Sequence, residues 1–458
     1  MKYRAILLIL LFACLHCGPK YKRHNFIWEK QYDFNRESDR AYEVVISGKG
    51  DLFVLGSCRE FSEKEFKLYW ILKKFSSKGR ENNNWNKKIK INFFDPIARL
   101  AADKNDNIYV VGQGYGTLNE ERYSNWWVKK YLPDANEDVE HWGNKIIQND
   151  SLYLLSAIDV DNKNNLYVGG RDRVEIEELR KQGDEEELWR KKHNELWWIK
   201  KYNENGVEDV DNWDKKNDNG NDDSLAGITM DKKNNVYLSG SGEKTVDGKQ
   251  EYYSWIRKYD EYGIEDKNWD KRFGFGDDFF HSIIILIDSD NNVYAAGTFR
   301  NNSNDDKETL RIKKFSEDGI EDKKWDKKYF RDDSFFLAAA IIDKYNNIYV
   351  AGYGYNLVSA SSENDMWIRK IGFDGQEDLK KWDKKIDGKK SIDESLGITV
   401  DTFNDVYVVG NGMNLIAELT KKDIKMLLDP NVSLKKAAEI QRRASSDDWW
   451  ILKFRGER

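Results

Sequence analysis

The chain has 458 residues, of which 34% are charged, 39% apolar and 14% aromatic, and its formal net charge at pH 7 is −6. That acidic balance argues against a nucleic-acid partner, because phosphate neutralisation needs a basic face. Only three cysteines occur, Cys14, Cys17 and Cys58, so no disulfide framework is available and stability must come from core burial.

The first twenty residues read as an export signal. Lys2 and Arg4 precede the apolar stretch Ala5–Ala13, which is too short to span a bilayer, and no later stretch is long enough either. The stretch runs into Cys14 and Cys17, as in lipoprotein signal peptides, where a cysteine becomes the acylated first residue. Gly18 after Cys17 favours Cys17; Ala13 before Cys14 keeps Cys14 as the alternative. An ordinary secretory signal is the remaining reading. This divides the chain into a signal peptide (1–16), a tether (17–26) and one domain (27–458). Several acyl chains, each adding about 0.8 kcal/mol per buried CH₂, would hold a monomer on a membrane. The address is a bacterial cell envelope, with the outer membrane or cell surface preferred over the inner membrane.

From there a sentence repeats seven times. The aromatic of an N-N-V-Y-x-x-G segment recurs at Phe53, Tyr109, Tyr167, Tyr237, Tyr294, Tyr349 and Tyr407. A fixed period of this size marks one supersecondary unit, copied and stacked. Each unit holds four short segments: an apolar run such as Ser282–Ile287, then N-N-[VI]-Y-V-x-G, then W-[IV]-[RK]-K-[YF], then W-D-K-K-[YF]. Apolar and polar residues tend to alternate in the last three, and β-branched and aromatic residues abound, as half-buried strands require. The connectors D-x-x-N-N and D-x-x-G carry tight-turn chemistry. Seven units of four antiparallel strands predict an all-β, seven-bladed propeller. The apolar first segment should be innermost and buried on both sides, and the polar fourth segment outermost. A lone outer segment opens the domain (Trp28–Tyr32) and a lone third segment ends it (Trp450–Phe454), so the first strand should close the last blade.

The I-x-x-D-x-x-N-N-x-Y-V-x-G cores, for example Ile341–Gly352 and Ile398–Gly410, resemble those of bacterial seven-bladed β-propeller repeat proteins of the SBBP kind. The resemblance covers roughly residues 27–454. It implies the fold and is nearly silent on activity. The Lys-rich third and fourth segments, each with its own Trp, depart from that family's pattern.

The second-to-third connectors vary in length and should all emerge on one face, the expected binding face. Two are long insertions, 171–196 and 411–448. Val174–Leu188 reads as a charged helix. Asn414–Leu428, with Leu415, Leu419, Met426 and Leu427 at helical spacing, and a second helix capped by Asp429-Pro430, read as a helical hairpin. That hairpin would cover the channel or form a partner groove.

Thirteen of 17 tryptophans hold repeat positions and read as packing. Trp126, Trp197 and Trp449 each precede a third-segment Trp; one of each pair should point away from that site, near the variable face, where it could stack on sugars or anchor a protein. An acidic residue recurs before the innermost strand, at Asp39, Asp95, Asp150, Asp223, Asp278, Asp333 and Glu394. These would either ring the channel mouth, attracting a cation or a basic partner, or bond their own turns. The D-x-x-x-N strings lack the bidentate Glu and the Gly of a calcium loop, so plain turns are expected and no metal or cofactor is assigned. Cys58 reads as a small apolar filler. The histidines are isolated, and no nucleophile, zinc or phosphate motif occurs. The composite expectation is a non-enzymatic protein- or glycan-binding module. An envelope-assembly scaffold and a hydrolase or lyase using channel-mouth carboxylates are the alternatives.

Overall fold

The computed structural model describes residues 26–34, 39–61, 66–91, 98–118, 121–143, 145–148, 152–182, 186–217, 222–246, 249–274, 282–300, 308–329, 335–358, 363–388, 392–413, 426 and 447–456. They form seven four-stranded antiparallel sheets. Blades 1 to 6 take their strands in chain order from residues 40–91, 98–148, 152–217, 224–273, 282–329 and 335–386. Blade 7 combines Asp393–Val400, Val406–Met413 and Asp447–Phe454 with the N-terminal strand Phe26–Tyr32. Gln31 lies opposite Trp450 and Tyr32 opposite Trp449, so the first strand closes the ring as its sequence predicts.

The D-x-x-N-N signature is a turn between the inner and second strands. In blade 3, Asp161 Oδ1 accepts the amides of Lys163 (2.8 Å) and Asn165 (2.9 Å). Its Oδ2 accepts Asn165 Nδ2 (2.7 Å) and the Tyr167 hydroxyl (3.4 Å). Asn164 adopts φ 63°, a left-handed conformation that Asn tolerates. The aspartate's acceptor sites are therefore occupied by its own turn, as expected of a plain turn. Each turn also reaches its neighbour, as where the Asn162 amide donates to Asn234 Oδ1 (2.9 Å).

The lysines of the third strand serve the same repeat. One cation per blade lies 4.8–5.8 Å from a ring of its own second strand, from Lys74 over Phe53 to Lys453 over Tyr407. The residue before it pairs with the glutamate of the following turn in six blades: Lys73–Glu81, Lys129–Glu137, Lys200–Glu208, Arg257–Glu265, Lys313–Glu321 and Arg369–Glu377. The fourth-segment tryptophans tie blade to blade. Trp142, Trp213 and Trp269 donate their indole N–H to Glu204, Glu261 and Glu317 carbonyls of the next blade at 2.7–3.0 Å. Trp28 makes the equivalent bond to Ser77 across the closure (3.1 Å).

Two expectations change. The inner strands are only half buried, with Ala226 exposed, because they line the axial channel; the second strands, such as Val236–Val246, are buried over most of their length. The insertion at 171–196 is not helical. Leu166–Gln182 and Glu186–Tyr202 form one long hairpin, in register from Leu166↔Tyr202 to Gln182↔Glu186. The pairing of the blade simply continues outward. Its register sets Glu177 opposite Lys191 and Glu178 opposite Arg190. Of the expected helical hairpin at 411–448, residues 414–425 and 427–446 lie outside the described residues.

Candidate functional site

The face carrying the second-to-third connectors also receives the starts of the inner strands. Strand register defines one ring position there. It is held by Arg40 in blade 1, Leu154 in blade 3, Ser224 in blade 4, Phe336 in blade 6 and Glu394 in blade 7. Blades 6, 7 and 1 thus present an aromatic, an anion and a cation side by side. Phe336 is 38% exposed and stacks on Tyr353, with centroids 5.2 Å apart and ring planes 28° apart. Tyr355, at the end of the same second strand, is 57% exposed. Asn364 Nδ2 donates to Glu394 Oε1 (3.3 Å). The Arg40 guanidinium reaches Glu394 (4.0 Å) and Asp447 (3.5 Å), bridging blades 1 and 7. Deeper in the channel Arg99 pairs with Glu43 (3.4 Å). Burial raises the Glu43 carboxyl above its ordinary value, and Arg99 opposes that shift.

The tryptophans singled out from sequence are not on this surface. Trp126, Trp197 and Trp449 are all 0% exposed. Each indole packs against the second-strand glycine of the next blade, where a Cβ would meet ring atoms at 2.5 Å (Gly170), 2.7 Å (Gly240) and 2.5 Å (Gly56). The expectation that one of each Trp pair is exposed is therefore corrected: both faces of the strand pack between blades. Register also moves Trp70 into this group, opposite Ser57 and packed on Gly112.

The carboxylate ring is likewise revised. Asp150, Asp278 and Asp333, with Asp95, lie outside the described residues, as do Cys14 and Cys17. Asp223 is 1% exposed, and its amide donates to the Glu195 carbonyl of the preceding blade (2.8 Å). Asp39 is 0% exposed and bonded in the same way to Asp447 (2.8 Å). The residue of blade 7 in register with both is Asp393, not Glu394. These carboxylates are buried behind the mouth instead of facing it.

Asp393 is missed by the sequence reading, which names its neighbour Glu394, although Asp393 stands eight residues before Asp401 just as Asp223 stands eight before Asp231. It is 0% exposed and accepts the Gly388 amide. Burial holds its carboxyl well above the usual range; the Gly388 bond opposes this, and Asp387, Asp365 and Asp447 reinforce it. Oxygens of Asp365, Asp387 and Asp393 lie within 4.8 Å of one another. Cys58 is 1% exposed, and burial pushes its thiol up to about 12, which fits an inert filler. Among the described residues no helix is long and apolar enough to cross a membrane.

Comparison with known proteins adds little. No protein-family model matches the chain, and no curated protein matches it. Among solved structures, an ulvan lyase, a polysaccharide lyase, aligns at TM-score 0.46 and 10% identity over 83% of this chain and 93% of its own. Sqt1 of Chaetomium thermophilum aligns at 0.36 and 10%, over 85% and 96%. A protein of unknown function from Dyadobacter fermentans aligns at 0.37 and 11%, over 72% and 94%. Likeness at these values says nothing about activity.

Proposed function

We propose that this propeller is a non-catalytic binding module that takes a saccharide at the mouth formed by blades 6, 7 and 1. The observation that carries the reading is the stack of exposed Phe336 on half-buried Tyr353 beside the Asn364–Glu394–Arg40 network. A flat apolar ring face next to convergent planar donors and acceptors matches the two surfaces of a sugar, its C–H face and its hydroxyl edge. The protein is exported and held on the bacterial envelope by acylation at Cys17, or at Cys14 if Ala13 directs cleavage. The anchor leaves this face free to meet envelope or host glycans.

A glycan array probed with the purified protein tests the reading. Binding to a defined glycan set should be lost in Phe336→Ala/Tyr355→Ala with the unfolding midpoint retained. No glycan bound by the wild type, or binding undiminished in the double variant, would refute it. Metabolic labelling with a fatty acid tests the anchor: the label should be incorporated into the wild type and lost in Cys17→Ala.

A further inference from the structure

The geometry points to a hard divalent cation of the calcium class held by Asp365, Asp387 and Asp393 where blade 6 meets blade 7. The three carboxylates come from three elements: the third strand of blade 6 (Asn364–Ile371), the segment just past its outer strand (Lys384–Ile386), and the first residue of the inner strand of blade 7 (Asp393–Val400). One oxygen from each lies within 4.8 Å of the other two. Calcium–oxygen bonds of about 2.3–2.6 Å put opposed ligands roughly 4.6–5.2 Å apart, so one such ion spans the set. An all-oxygen, all-carboxylate donor set suits calcium or magnesium and not zinc, which prefers nitrogen and sulfur.

A second observation is independent of the clustering. Asp393 is 0% exposed; its Oδ2 takes the Gly388 amide, and its Oδ1 has no hydrogen-bond partner. A buried carboxylate oxygen left without a donor is rare and unfavourable, and a bound cation supplies the missing partner. The equivalent register places at the closure are also acidic, without the same close approach of three carboxylate oxygens. At the closure, Asp39 is 0% exposed, its Oδ2 takes the Phe34 amide at 2.7 Å, and its Oδ1 is again unpartnered. Asp33 and Asp448 hold there the register places of Asp387 and Asp365. An ion at the blade 6–7 junction would fix Asp393 directly beside Glu394, and Asp365 beside Asn364. It would thereby stiffen the mouth whatever ligand the mouth takes.

Terbium, a calcium analogue excited through nearby tryptophan, is the probe for the chelator-stripped full chain. Sensitised emission that calcium displaces is expected, with a rise in Tm of about 2–3 °C in calcium over EDTA when calcium stands about 100-fold above its Kd. Asp393→Asn keeps an acceptor for Gly388 and should lose that emission. Half-buried Asp387→Asn should lose it too, and it decides the matter if the first variant fails to fold. No displaceable emission from the wild type overturns the site, leaving carboxylates that share protons instead. Full emission retained in Asp387→Asn also overturns it, because the ion then sits elsewhere.

Discussion

Replacing Trp126 separates inter-blade packing from ligand contact. Its indole is 0% exposed and rests on Gly170, which has no side chain to fill the space an alanine would leave. Trp126→Ala should therefore destabilise by about 3–5 kcal/mol, the usual range for a large aromatic truncated in a core. The phenylalanine substitution is more discriminating. Trp126 Nε1 is buried without a hydrogen-bond partner, and removing such a donor relieves about 1–3 kcal/mol, which offsets much of the lost ring area. Trp449 packs alike on Gly56, but its indole N–H donates to the Ser57 carbonyl at 3.0 Å. Trp449→Phe gives up that bond, so it should be about 1–2 kcal/mol more destabilising than Trp126→Phe. Urea midpoints for the three variants and the wild type measure this. A Trp126→Ala variant with an unchanged midpoint but lost ligand binding would refute the packing account. So would equal effects of the two phenylalanine substitutions.

Asp159 gives a pH test. Burial first, then the Asp161 charge, push its carboxyl up to about 7, opposed by the amides of Val160 and Met230. The folded state therefore holds a proton that the unfolded chain releases near pH 4, so stability falls as pH rises from about 4 to about 7 and levels off above. Asp159→Asn should raise Tm at pH 8 by more than at pH 5; an equal effect at both would contradict the assignment. Deleting residues 1–33 removes the partner of Asp447–Phe454 and exposes its edge, so the truncated chain should associate or aggregate on size exclusion. A peptide of residues 26–34 supplied in trans should restore the monomer; a stable truncated monomer would argue against closure by this strand. Replacing residues 175–193 by Asp-Gly should leave Tm unchanged and lower the strand signal in circular dichroism. A fall in helix signal would favour the helical alternative.

Much of the propeller was legible because its signatures are structural. The Asp161–Asn165–Tyr167 turn, the Lys200–Glu208 pair and the Trp213 bond to Glu261 all recur with the period, so the strand count and the closure could be read directly. What failed was anything that broke the period. The 171–196 hairpin is charged at 16 of its 26 positions, so neither a helical nor a strand period stands out; its signal is the acidic cluster Glu175–Glu178 followed by the basic run Arg190–Lys192. Trp126, Trp197 and Trp449 each stand beside a second Trp, so sequence alone does not show that both faces of the third strand pack between blades, and Asp393 is hidden beside Glu394 because either of two adjacent carboxylates can fill the period. The mouth patch was invisible for a different reason. Phe336, Glu394 and Arg40 share a ring position but no residue type, and only strand register brings them together.

Hydroxyl-radical footprinting of the protein with and without its bound saccharide tests the central claim most directly. Protection at Phe336, Tyr353 and Tyr355, with Trp126, Trp197 and Trp449 unreactive in both states, is the predicted result. Protection confined to residues 171–196, or none at the mouth, would contradict it.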